Sequence, residues 1–264
     1  MKVVSTRAEL AAVRRGLTGR IAVVMTMGAL HDGHIELIKR ARAEADSVVV
    51  TIFLNPLQFA AGEDLDRYPR RLDQDLPLCE GAGADVVFTP LPAEIYPTQP
   101  VVRVSAGAIG DVFEGASRPG HFDGVVTVVL KLMHLVDPDV AYFGQKDAQQ
   151  LACIRRMVQD LDVPVEVVAV ATVRDGDGLA LSSRNEYLTP EQHASALVLS
   201  RALATRDVAA GRALVEAQQG VDLDYFERVD STTFETTPDG DLIVVAARVG
   251  TTRLIDNLLL EDAT

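Results

Sequence analysis

Thr26-Met27-Gly28-Ala29-Leu30-His31-Asp32-Gly33-His34 places two imidazoles three residues apart where an apolar run gives way to a helical pattern. Upstream, Ile21-Ala22-Val23-Val24-Met25 reads as a short buried strand, and downstream Leu37, Ile38, Ala41 and Ala45 recur at helical spacing. The histidines therefore sit at a strand-to-helix turn. The exposed N–H groups and positive dipole end of a helix favour an anion there, and Gly28 and Gly33 let the backbone approach it closely. Imidazoles at such a turn suit phosphoryl chemistry. The same pair can simply cap the helix, but the flanking glycines and the preceding strand favour a functional pair. A zinc site fits less well, because the H-E-x-x-H spacing is missing and no third ligand is evident.

Outward from this turn, strand-like runs at 48–54, 85–88, 140–143 and 165–170 alternate with helical ones. That order implies parallel strands with right-handed crossovers, hence a doubly wound α/β sheet. Residues 124–136 are nearly all apolar and rich in valine, and their length favours a helix over a strand. The alternation stops near Val173, and Arg174-Asp175-Gly176-Asp177-Gly178 reads as a linker or turn. We therefore expect one domain over 1–174 and a smaller α+β domain over 175–264. Thr189-Pro190-Glu191-Gln192 opens a helix in the second, with a cap, a proline at the first position and a glutamine three residues after the cap. Helical segments run to about Gly220, and strands are expected at 223–229, 242–247 and, as a shorter third, 251–255.

Composition narrows the classes of function. At 264 residues with 48% hydrophobic content, the chain can build one large or two modest cores, which excludes a disordered chain. Its formal charge of −13 repels nucleic acid over most of the surface, so an anionic ligand needs a local cluster of donors. Cys79 and Cys153 lie far apart and form no C-x-x-C pair, which argues against a disulfide framework or thiolate metal site and fits a reducing cytoplasm. Neither a signal peptide at Met1–Arg7 nor an apolar segment of membrane-spanning length is read, so no membrane partner is expected.

Ligands of open parallel sheets bind outside the carboxyl ends of the strands. Three strands aim polar groups there: 21–25 runs into His31 and His34, 48–54 into Asn55-Pro56-Leu57-Gln58-Phe59, and 140–143 into Gly144-Gln145-Lys146-Asp147. Each group also has a plainer reading. Asp147 and Gln150 make the D-x-x-Q of a capping box as readily as a site, Asn55-Pro56 is first a turn, and Gln58 can be merely solvated. Ser182-Ser183-Arg184-Asn185 can be a polar loop, although two hydroxyls and a guanidinium suit a triphosphate. Lys146 at a strand end is placed to neutralise charge where it develops.

Taken together, the motifs at 26–34, 55–59, 143–147, 149–151 and 182–185 resemble those of the pantothenate synthetases, in order and over nearly the full length. Glu114-Gly115, Arg118-Pro119-Gly120-His121-Phe122, Thr127-Val128-Val129 with Lys131-Leu132, and Gly250-Thr251-Thr252-Arg253-Leu254-Ile255-Asp256-Asn257 resemble further segments of that family. The His-x-x-His turn alone is less specific, being similar to the signature of the wider nucleotidyltransferase superfamily that includes class I aminoacyl-tRNA synthetases. The resemblance implies a Rossmann-like N-terminal domain with a smaller C-terminal lid, a homodimer, and ATP-dependent condensation of D-pantoate with β-alanine through a pantoyl adenylate, with Mg²⁺ accompanying the ATP. It also implies roles. Met27, Gly28, Ala29, Leu30, His31, Asp32, Gly33 and His34 line the ATP site, with His34 as general acid toward pyrophosphate and His31 holding the triphosphate. Gly144, Gln145, Lys146 and Asp147 hold the nucleotide, Val173 meets adenine through its backbone, and Leu181, Ser182, Ser183 and Arg184 close over the triphosphate. Gln58 and Gln150 bind pantoate, with Asn55 beside them, and Gln58 also contacts β-alanine. No metal ligands are assigned.

Three positions depart from the family pattern: Met25 stands where proline commonly precedes Thr-Met-Gly, Gln145 replaces a glutamate, and Leu181 replaces a methionine. Leu181 keeps shape and volume, whereas Gln145 removes a negative charge beside Lys146. Two other functions compete with the family reading. Another nucleotidyltransferase would exchange pyrophosphate without pantoate, and a regulatory nucleotide-binding protein would bind ATP without turnover.

Overall fold

The computed structural model describes residues 1–60, 63, 65 and 67–260. The chain forms two compact units, one of Met1–Gly144 with Cys153–Val170, the other of Gln145–Ala152 with the chain from Ala171 onward.

The first unit is built on a six-stranded parallel sheet of β1 (Lys2–Val4), β2 (Ile21–Thr26), β3 (Ser47–Ile52), β4 (Val86–Phe88), β5 (Val140–Gly144) and β6 (Glu166–Val170), in the order β1-β4-β3-β2-β5-β6. Its helices are α1 (Arg7–Arg14), α2 (Asp32–Glu44), α3 (Leu72–Ala82), the one-turn α4 (Pro92–Ile95) and α5 (Glu114–Ser117), and α6 (His121–Val136). Helix α7 (Ala148–Asp160) gives its first turn to the second unit and the rest to the first. The expected strands and the long valine-rich helix are present with shifted ends. One strand is additional: β1 pairs with β4 at the sheet edge, and three residues carry too little pattern to announce a strand.

Strand β2 lies between β3 and β5, and five of its six residues are buried, as expected of a continuous apolar run covered on both faces. Val24, Val50 and Tyr142 of the sheet pack with Leu37, Ile38 and Ala41 of α2 and Cys79 and Ala82 of α3 in one core. The strand order reverses between β2 and β5, so the switch point of this sheet falls at the carboxyl ends of those two strands. Both cysteine thiols are free and buried, and burial pushes each up to about 12, which removes them as nucleophiles.

The second unit carries α8 (Pro190–Ala196), α9 (Val198–Ala204) and α10 (Val208–Ala217) with an antiparallel sheet of β7 (Val221–Val229), β8 (Leu242–Val249) and β9 (Thr252–Leu259). Thr189 accepts from the Gln192 N–H at 3.2 Å and the Gln192 side chain accepts from the Thr189 N–H at 3.0 Å, the expected capping box. Leu199, Leu203, Val215, Phe226, Ile243 and Val245 share its core. Residues 174–178 form a tight hairpin: Asp175 caps the turn by accepting from Asp177 and Leu179 N–H, and Leu181 N–H donates to the Val173 carbonyl at 2.9 Å. The third strand reaches Leu259, past the expected end at 255, because Asp256 and Asn257 continue it with buried, partnered side chains. Among the described residues no helix is long and apolar enough to cross a membrane.

Candidate active site

In the first unit the chain leaves β2 through a turn that only a special backbone allows. Gly28 takes φ +88°, and Ala29 follows at φ +52°. A Cβ at Gly28 would lie 3.1 Å from an Asp75 carboxylate oxygen and 3.2 Å from an Ile52 methyl, so the position suits glycine for both its dihedral and its space. Asp75, buried on α3, accepts the Ala29 N–H at 3.0 Å and the Leu30 N–H at 2.8 Å. Sequence reasoning missed this residue. In Leu72-Asp73-Gln74-Asp75 it reads as one more acid on a solvated helix face, and only the fold turns it inward.

The turn ends in the imidazole pair. His31 is the N-cap of α2 and accepts the Gly33 N–H at Nδ1 at 3.2 Å, while His34 Nδ1 accepts the His31 N–H at 3.3 Å. The rings lie 4.1 Å apart between centroids, tilted by 42°. The capping reading is therefore present, with both histidines forming a reciprocal box. It also has a chemical consequence. A nitrogen that accepts N–H carries no proton, so each neutral ring holds its proton on Nε2. The pair presents N–H donors from rings whose other nitrogen is committed to the helix start.

Asn55 caps, and Gln58 ends, a 3-10 turn, Pro56–Gln58, after β3. Asn55 is 1% exposed and its amide is fully used. Oδ1 accepts from Tyr96 Oη at 2.9 Å and Leu57 N–H at 3.3 Å, and Nδ2 donates to Gln58 Oε1 at 3.0 Å and the Gly124 carbonyl at 3.1 Å. Burial raises the Tyr96 phenol, which keeps it a donor. Gln58 thus has its oxygen held by Asn55, and its Nε2 lies 3.2 Å from the Met27 sulfur. What Gln58 turns away from Asn55 is N–H, a donor suited to a carboxylate or hydroxyl oxygen.

The backbone of Gln58 is held from below. The Arg118 guanidinium clasps Glu63 with two bonds of 2.8 and 2.7 Å, and its Nη1 lies 2.9 Å from His121 Nε2. His121 Nδ1 lies 2.8 Å from the Gln58 carbonyl. A carbonyl only accepts and a guanidinium only donates, so His121 is the neutral Nδ1–H tautomer. Burial, with the Arg118 charge adding to it, lowers its pKa to about 4. The unfolded chain therefore binds a proton between about pH 6.5 and about pH 4 that the folded chain refuses, and stability falls as pH drops through that window. Urea unfolding at pH 7 and pH 4.5 should show the wild type losing on the order of 2 kcal/mol more than His121→Asn. Equal losses would show that this imidazole does not couple to folding.

Helix α6 meets this turn at Gly124, where a Cβ would fall 2.3 Å from the Leu57 carbonyl oxygen and 2.7 Å from Gln58 Cα. Gly124→Ala must push backbone against backbone, so we expect a loss of about 1–3 kcal/mol in stability and a several-fold weaker hold on any ligand that takes the Gln58 donor, read by unfolding and by steady-state kinetics. Unchanged values for both would show that the helix can yield.

The second unit carries its own polar set. Gln145–Asp147 form a 3-10 turn ahead of α7, with Lys146 Nζ 3.6 Å from Asp147 Oδ1. Gln150 lies partly buried in the first turn of α7. Val173 and Leu181 are backbone partners across the hairpin, and Ser182 Oγ accepts the Arg184 N–H at 3.3 Å at the start of a 3-10 turn, Ser183–Tyr187. The structure thus brings Met27–His34 into one unit with Asn55 and Gln58, and Lys146, Gln150 and Val173 into the other with 181–184. Among the described residues no group of three or more His, Cys, Asp or Glu side chains is placed to hold a metal ion.

An α/β fold with a turn into a helix N-terminus at its switch point and amide-bearing strand ends is an arrangement that nucleotide-using enzymes employ. Residues 2–259 match the family described as Pantoate-beta-alanine ligase. The chain is 52% identical over 279 residues to a pantothenate synthetase of Acidothermus cellulolyticus, covering 99% of this chain and 92% of that one. A solved pantothenate synthetase from Thermus thermophilus superposes with a TM-score of 0.93 at 46% identity, over 98% of this chain and 99% of the other. A Pantoate-beta-alanine Ligase from Francisella tularensis, solved in complex with Beta-gamma ATP and Beta-alanine, gives a TM-score of 0.88 at 35% identity over 100% and 99% of the two chains. This chain belongs to the pantoate-beta-alanine ligase family.

Proposed function

We propose that the chain condenses D-pantoate with β-alanine in two steps driven by ATP. In the first, a pantoate carboxylate oxygen attacks the α-phosphorus, the bond to the bridging oxygen breaks, and pyrophosphate leaves. In the second, the β-alanine amine attacks the acyl carbon of the pantoyl adenylate, AMP leaves and the amine gives up a proton. The observation that carries this reading is the turn from Gly28 to His34, where two imidazoles with Nε2 protons stand at a helix N-terminus.

The first step brings two anions together and develops charge on the leaving oxygen, so donors already aimed at that position stabilise it most. His34 serves here as a hydrogen-bond donor from Nε2. Full protonation would place hydrogen on Nδ1 and expel the His31 N–H that it accepts, so the role is charge stabilisation rather than release of a second proton. His31 holds the triphosphate, and Met27–Gly33 line it with backbone. Lys146 supplies positive charge at the phosphates, Gly144–Asp147 hold the nucleotide, Val173 meets adenine, and Leu181–Arg184 close over the triphosphate. The second unit, Gln145–Ala152 with the chain from Ala171 onward, serves as the lid and the first unit as the Rossmann-like domain, so the lid takes in the Lys146 turn that the expected boundary at 174 left in the first domain. Gln58 donates to pantoate, with Gln150 as its second amide, and Asn55 sets the direction of the Gln58 donor. Magnesium enters as part of the nucleotide, since this ion prefers phosphates and one or two carboxylates over an all-protein cage. The enzyme works as a homodimer in the cytoplasm.

The test is incubation of purified protein with MgATP and D-pantoate, with and without β-alanine, following pyrophosphate, AMP and pantothenate together. Pantothenate with stoichiometric AMP supports the reading. Absence of pantoate-dependent pyrophosphate redirects it to another acceptor.

A further inference from the structure

The segment Gly250-Thr251-Thr252-Arg253-Leu254-Ile255-Asp256-Asn257 resembles its family yet has no part in the chemistry described so far. Its last two residues are polar, buried and inside a strand, at 3% and 5% exposure, where an apolar pair would be the ordinary choice. Their partners explain why. Asn257 Nδ2 donates to the Gln145 carbonyl at 3.0 Å and to the Lys146 carbonyl at 2.8 Å. Asp256 in turn holds Asn257, accepting its N–H on Oδ1 at 2.8 Å. The same carboxylate takes the Arg174 guanidinium on both oxygens, at 2.6 and 3.0 Å. Arg174 also donates to the Gly178 carbonyl at 3.2 Å, closing the hairpin that pairs Val173 with Leu181.

We propose that Asn257 is a positioning residue for Lys146. It clamps two successive carbonyls, one of them belonging to Lys146 itself, and so sets the direction in which the lysine side chain leaves the backbone. The 3-10 turn from Gln145 to Asp147 is short and weakly bonded by nature, so an external clamp is what gives it a single orientation. The Asp256–Arg174 pair holds the clamp to the hairpin, so the lysine turn and the Val173–Leu181 hairpin are aligned by one buried pair of side chains on β9. The inference rests on the reading that Lys146 serves the phosphates.

The experiment is a mutant cycle on the intact enzyme, comparing wild type, Asn257→Ala, Lys146→Ala and the double variant. Pantoate-dependent ATP–pyrophosphate exchange gives kcat and the KM for ATP, and thermal unfolding is read alongside. A residue that acts through Lys146 loses its effect when Lys146 is gone. We expect Asn257→Ala to lower kcat about 10- to 100-fold with a KM for ATP within about 3-fold, by misplacing a group that acts in the transition state. The double variant should be no slower than Lys146→Ala. If the alanine variant does not fold, Asn257→Ser, which is smaller and keeps one donor, takes its place in the cycle. Multiplying effects in the double variant, or a single Asn257 variant within about 3-fold of wild type, overturn the clamp while leaving the role of Lys146 intact. A Lys146→Ala enzyme at wild-type rate overturns the reading of Lys146 and the clamp with it.

Discussion

His34→Ala lowers pantoate-dependent ATP–pyrophosphate exchange by about 10²-fold or more, the usual scale for removing one preorganised donor from a developing charge. The loss has two sources that can be separated. His34 is also the third residue of the α2 capping box, and its Nδ1 satisfies the His31 N–H, so truncation costs about 1 kcal/mol of stability as well. His34→Gln restores the reach-back acceptor that this helix position ordinarily uses. It should recover the stability and leave the rate low. Exchange kinetics and urea unfolding on the two variants check this, and near-normal turnover in His34→Ala with ATP binding unchanged removes the residue from its role.

Asp75→Asn is expected to be nearly as damaging, although this carboxylate is assigned no contact with substrate. It accepts from two successive N–H groups of a turn in which both Gly28 and Ala29 have positive φ. An amide in its place keeps one acceptor and points an N–H at the other N–H. Charge-assisted bonds of this kind contribute about 1.5–3 kcal/mol each, so a stability loss of about 3 kcal/mol is expected. The turn carries His31 and His34 at its end, and displacements near 1 Å cost on the order of 10²-fold in rate. Unfolding and exchange measured together decide the matter. A destabilised protein at full rate would make Asp75 a strut and nothing more.

Sequence reasoning reached the local frame of the candidate site where the chain itself announces it. The strand 21–26, the turn after it and the helix beginning at Asp32 are local features, and the imidazole pair lies inside them. The partners that hold that turn come from elsewhere in the chain. Asp75 bonds residues more than forty positions earlier, and His121 supports the Gln58 carbonyl across 63 positions. Neither approach leaves a mark in spacing or periodicity. Asp256 and Asn257 stand in a family-like segment, but their place inside a strand was illegible for a different reason. Both residue types favour turns, so the reading ends β9 before them, and only their buried partners let the strand run on. Capping and the proposed chemistry are compatible for the two histidines, because Nδ1 serves the helix and leaves the Nε2 proton to the role proposed for it.

The two inert thiols have a practical use. Cys79 and Cys153 are buried, and both sit near 12 on the pH scale, so a maleimide at neutral pH finds no thiolate in the natural chain. A single cysteine introduced at a fully exposed position such as Val101, at 96% exposure, would then carry a fluorophore alone. With a second label on an exposed residue of the second unit, the same background would report any change in the distance between the two labels during turnover, with no native cysteine to remove first.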